Sequence, residues 1–255
     1  MDLYPAIDLR GGRCVRLVEG DFERETVYGD DPVAVARAFA GEGARWIHVV
    51  DLDAARTGVP ANAPAVEAVA ALGAAGVAVQ AGGGVRSLEA AERLFACGVA
   101  RVVIGTAAAE DPSLVAEAAA RWPGRVAAGV DHRDGEVMVR GWTAGSGRRL
   151  SDVLPALADA GAAAVVVTDI SRDGTMSGPD VEGLATLAAG TTVPLIASGG
   201  VSSLDDLRAL ASVPGLAGVI VGRALYEGRF GVADALSVLG GAAPPRPPDG
   251  GEPIR

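Results

Sequence analysis

The chain has 255 residues, 49% hydrophobic and 21% charged, a composition that excludes wholesale disorder and supports a large buried core. Its 32 acidic and 22 basic residues, the latter all Arg, leave a net charge of −10, which argues against nucleic acid or an anionic membrane as partner. Cys14 and Cys97 are too few for a disulfide framework and lack metal-ligand spacing, no apolar run approaches the ~18 residues of a membrane span, and no leader pattern opens the chain, so a cytoplasmic protein without metal is expected.

In chain order, apolar runs of β type fall at residues 3–7, 46–50, 77–81, 101–104, 126–130, 164–167, 194–197 and 218–221. Each of the first seven leads through a polar or Gly-rich loop into a stretch with helical spacing, at 32–42, 63–71, 87–97, 112–120, 150–160, 181–189 and 203–211, and an eighth helix is expected near 232–238. Strands this apolar are covered on both faces, and strict strand-then-helix alternation implies parallel pairing. Eight such units in about 250 residues are the arithmetic of a TIM (β/α)8 barrel. An open doubly wound sheet is the rival, but no G-x-G-x-x-G follows the first run. Residues 1–239 are read as one barrel domain, and the Pro- and Gly-rich residues 240–255 as a mobile tail without function.

The chain repeats itself. AGGGVRSLEAAERL (81–94) resembles ASGGVSSLDDLRAL (197–210), and VVIGTAA (102–108) resembles VIVGRAL (219–225). The spacings 200 − 83, 222 − 105 and 168 − 51 each give 117, and 131 − 8 gives 123. Residues of about 1–122 and 123–239 are therefore read as two half-barrels with approximate twofold symmetry. Chance similarity between two Ala-rich halves is the alternative, and it offers no reason for one spacing to recur in three loops.

Active sites of such barrels lie in the loops that follow the strands. Gly82-Gly83-Gly84 and Ser198-Gly199-Gly200 follow the third and seventh strands, and Gly105-Thr106 and Gly222-Arg223 follow the fourth and eighth. Glycines there let backbone N–H groups approach an anion, and a helix start adds its positive end. A tight turn needing φ > 0 is the alternative for any single loop. Two such pairs on opposite sides of the mouth suit a small molecule phosphorylated at both ends. Asp8 and Asp131 end the first and fifth strands, opposite each other, as paired acid–base catalysis requires; helix capping is the structural alternative. His48 and His132 have no carboxylate cluster beside them and are read as solvated or core histidines.

The motifs PAIDLRGGRCVRLVEGDF, VVDLDAA, GGGVR, IGTAA, VDHRDG, GWT, VVTDISRDGTMSGPD, SGGVSS and VGRALYEG closely resemble the phosphoribosylformimino-aminoimidazole-carboxamide ribonucleotide (ProFAR) isomerase family of histidine biosynthesis, from about Leu3 to Leu239. The resemblance implies a duplicated TIM barrel that needs no cofactor. It makes Asp8 the proton acceptor, Asp131 the proton donor and Thr168 an assisting group. Within the family the chain is most similar to the subgroup that also isomerises phosphoribosyl anthranilate in tryptophan biosynthesis. Arg16, Arg140 and Trp142 match substrate-binding residues of that subgroup, and Asp173 matches a carboxylate proposed there as the acid. Packing for Trp142 and a solvated loop for Arg140 are the plainer readings. His132 stands where related sequences often carry a small apolar residue.

Both reactions are Amadori rearrangements, with Asp131 or Asp173 expected as acid and Asp8 as base. A monomer is expected. Two alternatives remain at this point. One is the cyclase of the same pathway, whose first loop carries a lysine that this lysine-free chain lacks. The other is a non-catalytic sugar-phosphate-binding barrel, which has no need of opposed aspartates.

Overall fold

Alternation with period two along each strand sorts the side chains into an inner and an outer layer. In the first strand Leu3, Ile7 and Leu9 join the large core beneath the helices, whereas Tyr4 and Ala6 join a smaller cluster with Val103, Ala127, Ala164, Val166, Ile196 and Ile220. The computed structural model describes residues 1–139 and 141–240. Its barrel strands are Asp2–Arg10, Trp46–Asp51, Ala78–Gly82, Arg101–Ile104, Val126–Arg133, Ala164–Asp169, Leu195–Ser198 and Leu216–Val221. Each pairs in parallel with the next, and the eighth pairs with the first, so the barrel closes.

The helices begin where short polar side chains supply acceptors for free N–H groups. Asp31 caps Pro32–Gly41, Ser87 caps Leu88–Ala96, Asp111 caps Pro112–Arg121, and Ser203 caps Leu204–Ala211 in a capping box with Asp206. The last helix, Val232–Val238, returns the chain to its start: the Met1 ammonium lies 3.5 Å from the Leu239 carbonyl oxygen.

The barrel interior is partly polar. Arg101 donates to the Tyr4 hydroxyl at 3.1 Å and to Gln80 Oε1 at 3.2 Å, and Gln80 Nε2 lies 3.1 Å from His48 Nδ1. Burial and the field of Arg16 push His48 down to about 3, so it is a neutral core histidine.

Two features depart from the sequence expectation. The first and fifth strands each run on into an antiparallel hairpin, Arg13–Val18 with Asp21–Gly29 and Glu136–Val139 with Ala144–Arg149. The second occupies a segment read from sequence only as a connecting loop between the fifth strand and the helix at 150–160; Asp134 and Gly135 both have positive φ and turn the chain into it. Arg140 and residues 241–255, the bulk of the expected tail, lie outside the described residues.

Candidate active site

Parity places the candidate reacting groups. Counting up the inner face from Tyr4 and Ala6 leads to Asp8, from Ala127 to Asp131, and from Ala164 and Val166 to Thr168. The first and fifth strands are separated by three strands on either side, so Asp8 and Asp131 stand across the mouth from each other. Asp173 arrives by another route, on the loop between the sixth strand and the helix Val181–Ala189. Asp169 shapes that loop by accepting from the Ser171 N–H at 3.0 Å, the Ser171 hydroxyl at 2.6 Å and Arg172 Nε at 3.0 Å.

The three carboxylates differ in their partners. Arg16 Nη1 donates to Asp8 Oδ2 at 2.8 Å and its Nη2 to the Ala6 carbonyl at 2.5 Å, while the guanidinium lies 5.4 Å from the Tyr226 ring centre. Burial pushes Asp8 up, and Arg16 pulls it back. Asp131 accepts from the Trp142 indole N–H at 2.7 Å. It too is raised by burial, against hydrogen bonds from Trp142 and Thr168. Asp173 is raised to about 7 by burial and by the charge of Asp8, with Arg16 opposing and Asp131 adding to the rise. Two electrostatically coupled carboxylates thus differ: Asp8 is bound to a cation, and Asp173 is raised enough to hold a proton near neutrality.

Three loops meet over these groups. Glu19 and Gly20 turn the first hairpin, both with positive φ, and the Glu19 N–H donates to the Asp173 carbonyl at 3.0 Å. Gly174 lies so close to the same hairpin that a Cβ there would sit 2.4 Å from the Leu17 carbonyl oxygen. Trp142, at φ 70° on the tip of the second hairpin, lays its ring against Gly20.

The glycine loops repeat in conformation. Gly83 and Gly199 have φ of 101° and 99°, and their missing Cβ atoms make room for the carbonyls of Asp51 and Asp169 at 2.3 and 2.8 Å. Gly84 and Gly200 follow, with φ of 70° and 85°. The true equivalents are therefore 83 with 199 and 51 with 169, spacings of 116 and 118, and the single spacing of 117 holds only for Gly105 with Gly222. Small differences in loop length between the halves cause this drift. Gly82 ends its strand against Val103, which gives it a packing reason to be glycine, and Ser198 pairs with Thr168 in the neighbouring strand. Gly105 and Gly222 cap the short helices Thr106–Glu110 and Arg223–Tyr226. Space beside Gly105 is open, whereas a Cβ on Gly222 would lie 2.4 Å from the Arg16 guanidinium carbon. Arg223 Nη1 donates to the Gly174 carbonyl at 2.6 Å, which ties the eighth loop to the sixth.

Comparison with known proteins settles the lineage of this arrangement. A family described as histidine biosynthesis protein matches residues 2–231. The chain belongs to this family. Among its relatives are isomerases of a doubly phosphoribosylated imidazole-4-carboxamide: 54% identical in Sorangium cellulosum, over 92% of this chain and 98% of that protein, and 52% identical in Dinoroseobacter shibae, over 94% and 99%. The enzymatic class these relatives carry, an intramolecular oxidoreductase interconverting aldose and ketose, is also that of this histidine-biosynthesis protein.

Sequence reasoning did not foresee two contacts of this family member. Arg16, expected at substrate, turns its guanidinium to Asp8, and Trp142 reaches Asp131. The antiparallel pairing of both hairpins produces them, and a hairpin signal such as Asp134-Gly135 is the trace that sequence leaves. His132 is buried, and its Nδ1 lies 3.4 Å from the Gly135 N–H. Among the described residues no group of three His, Cys, Asp or Glu side chains is arranged to hold a metal, and no helix is long and apolar enough to cross a membrane.

Proposed function

We propose that the site performs an Amadori rearrangement of ProFAR in histidine biosynthesis, converting the aminoaldose into its phosphoribulosyl aminoketose. The observation that carries this reading is the contrast between Asp8, bound to Arg16, and Asp173, raised to about 7 in the same pocket. The reaction calls for one group that donates a proton and one that accepts it. Asp173 protonates the ribose ring oxygen, the C1–O bond breaks, and a Schiff base forms. Asp8 then takes the C2 proton to give an enolamine. In the last step Asp8 returns that proton to C1, while Asp131 accepts the enol O–H proton and relays it to Asp173, restoring both groups. The resemblance assigns proton donation to Asp131; proton affinity favours Asp173. Thr168, bonded to Asp131, orients it.

The two phosphates would sit at Gly83–Gly84 with Gly105–Thr106 and at Gly199–Gly200 with Gly222–Arg223, where backbone N–H groups and helix starts favour anions. Such remote binding holds the sugar in register with the carboxylates. The activity is checked by ProFAR turnover: the wild type should exceed Asp8→Asn by orders of magnitude, and equal rates would overturn the assignment.

A second activity, isomerisation of phosphoribosyl anthranilate in tryptophan biosynthesis, is favoured by one observation. The Trp142 indole donates its N–H to Asp131, from where its face would stack on an anthranilate ring. Arg16 Nε is buried with no hydrogen-bond partner among the described residues, and Arg16 would pair with the anthranilate carboxylate on leaving Asp8. Turnover of phosphoribosyl anthranilate no faster than in Asp8→Asn would exclude this activity.

A further inference from the structure

The hairpins from opposite strands touch at their tips, and the contact has an unusual requirement. The ring of Trp142 fills the space a side chain would occupy at Gly20: a Cβ there would lie 2.3 Å from Cε3 and 2.5 Å from Cζ3. Separations below about 3 Å force one partner to move, and the neighbour here is a rigid indole rather than the end of a flexible chain. The other edge of the same indole donates from Nε1 to Asp131 Oδ2 at 2.7 Å. One end of the ring is thus fixed by the absence of a side chain and the other by a carboxylate at the reacting centre. The Gly20 turn is itself anchored, through the Glu19 N–H bonded to the Asp173 carbonyl and through Gly174 against Leu17.

We infer that Gly20 is a positioning residue for the reaction: its bare backbone seats Trp142 so that the indole N–H reaches Asp131, latching the two hairpins across the mouth. The inference rests on the reading above that Asp131 must be ionised to accept the enol proton. An N–H bonded to a carboxylate favours its charged form, so displacing the indole raises the pH at which Asp131 ionises. The low-pH limb of kcat/KM then moves upward.

The test uses the full chain with ProFAR. Trp142→Phe, which keeps a ring but loses the N–H, should move the low-pH limb up by about one pH unit. Gly20→Ala should move it in the same direction by a similar amount, and Gly20→Ala added to Trp142→Phe should move it little further. Because Gly20 has φ 72°, Gly20→Asn, which tolerates that conformation, should behave like Gly20→Ala. Gly11→Ala, at φ 56° in the turn between the first strand and that hairpin and with open space around it, should leave the limb in place. In protein labelled with 5-fluorotryptophan, the 19F resonance that vanishes in Trp142→Phe should shift in Gly20→Ala. Additive effects in the double variant, a limb that moves equally in Gly11→Ala, or an unmoved Trp142 resonance would overturn the inference. A shifted resonance with an unmoved limb also overturns it, whereas failure of the functional reading alone is recognised by full turnover in Asp131→Asn.

Discussion

The two halves of the barrel share strands and glycine turns but divide their charges unequally. The first half supplies Asp8 together with the cation that holds it, Arg16, from the hairpin that continues Asp8's own strand. The second half supplies Asp131 and Asp173, and among the described residues no guanidinium is bonded to either; Asp131 is met by an indole N–H and a hydroxyl. The loops after the second and sixth strands diverge in the same sense. Asp51 spends its oxygens on the helix Leu52–Thr57 and on buried Asn62, whereas Asp169 organises an irregular loop that delivers Asp173. The two halves thus repeat the glycine turns but not the charges: one carboxylate is bonded to a guanidinium, and two have no such partner among the described residues.

Removing the groups themselves breaks this comparison most severely. Asp8→Asn and Asp173→Asn should each lower kcat for ProFAR by roughly 10²–10⁴ with the circular dichroism spectrum unchanged, since each deletes a proton-transfer group. Turnover near wild type in either would abolish the division between halves.

The next effect is on stability. Asp173 has a folded-state pKa raised from 3.8 to about 7, so the stability it lends is whole below about pH 4 and is lost as pH rises through 7. Asp173→Asn lacks that titration and should gain on the wild type between those values by a few kcal/mol at the order-of-magnitude level. Urea unfolding at pH 4.5 and 7.5 reads the difference, and a gap that does not widen with pH contradicts the buried acid. The same titration predicts that the wild-type rate falls above about pH 7 as the donor loses its proton.

Exchanging the cation sharpens the comparison. With Arg16→Met the burial of Asp8 is unopposed, its proton affinity rises, and the low-pH limb of kcat/KM should move up by about one to two units. Arg16→Lys should recover part of the shift. An unmoved limb in Arg16→Met would show that Asp8 does not depend on the cation.

The smallest expected effect separates the two substrates. Trp142→Ala should reduce phosphoribosyl anthranilate turnover about tenfold more than ProFAR turnover, because ProFAR has two phosphates to hold it in register whereas phosphoribosyl anthranilate has one and depends more on ring stacking. Equal losses in parallel steady-state assays would assign Trp142 to Asp131 alone.

Much of this was written in local pattern. The apolar runs declare a parallel barrel because each strand must be covered on both faces, and Asp8 and Asp131 stand out as charged residues ending such runs. The spacing of 117 misled at Asp51, whose counterpart in conformation is Asp169, whereas the aligned segments 81–94 and 197–210 already pair Gly83 with Gly199 at 116. Arg16 on Asp8 and Trp142 on Gly20 depend on hairpins that bring together residues from different strands. The proton affinity of Asp173 was equally hidden. It arises from burial under three converging loops and from the charge of Asp8, neither of which a single segment contains.

The contact between Met1 and Leu239 gives the barrel a circular connectivity. A short peptide joining these residues bridges neighbouring atoms rather than the width of the molecule. New ends opened at Pro123–Gly124, both exposed at the junction of the half-barrels, would leave all eight parallel pairings in place. In such a circular permutant the Asp131 half would be synthesised before the Asp8 half. The order in which ribosomes deliver the two aspartates is thus separable from the geometry in which they face each other.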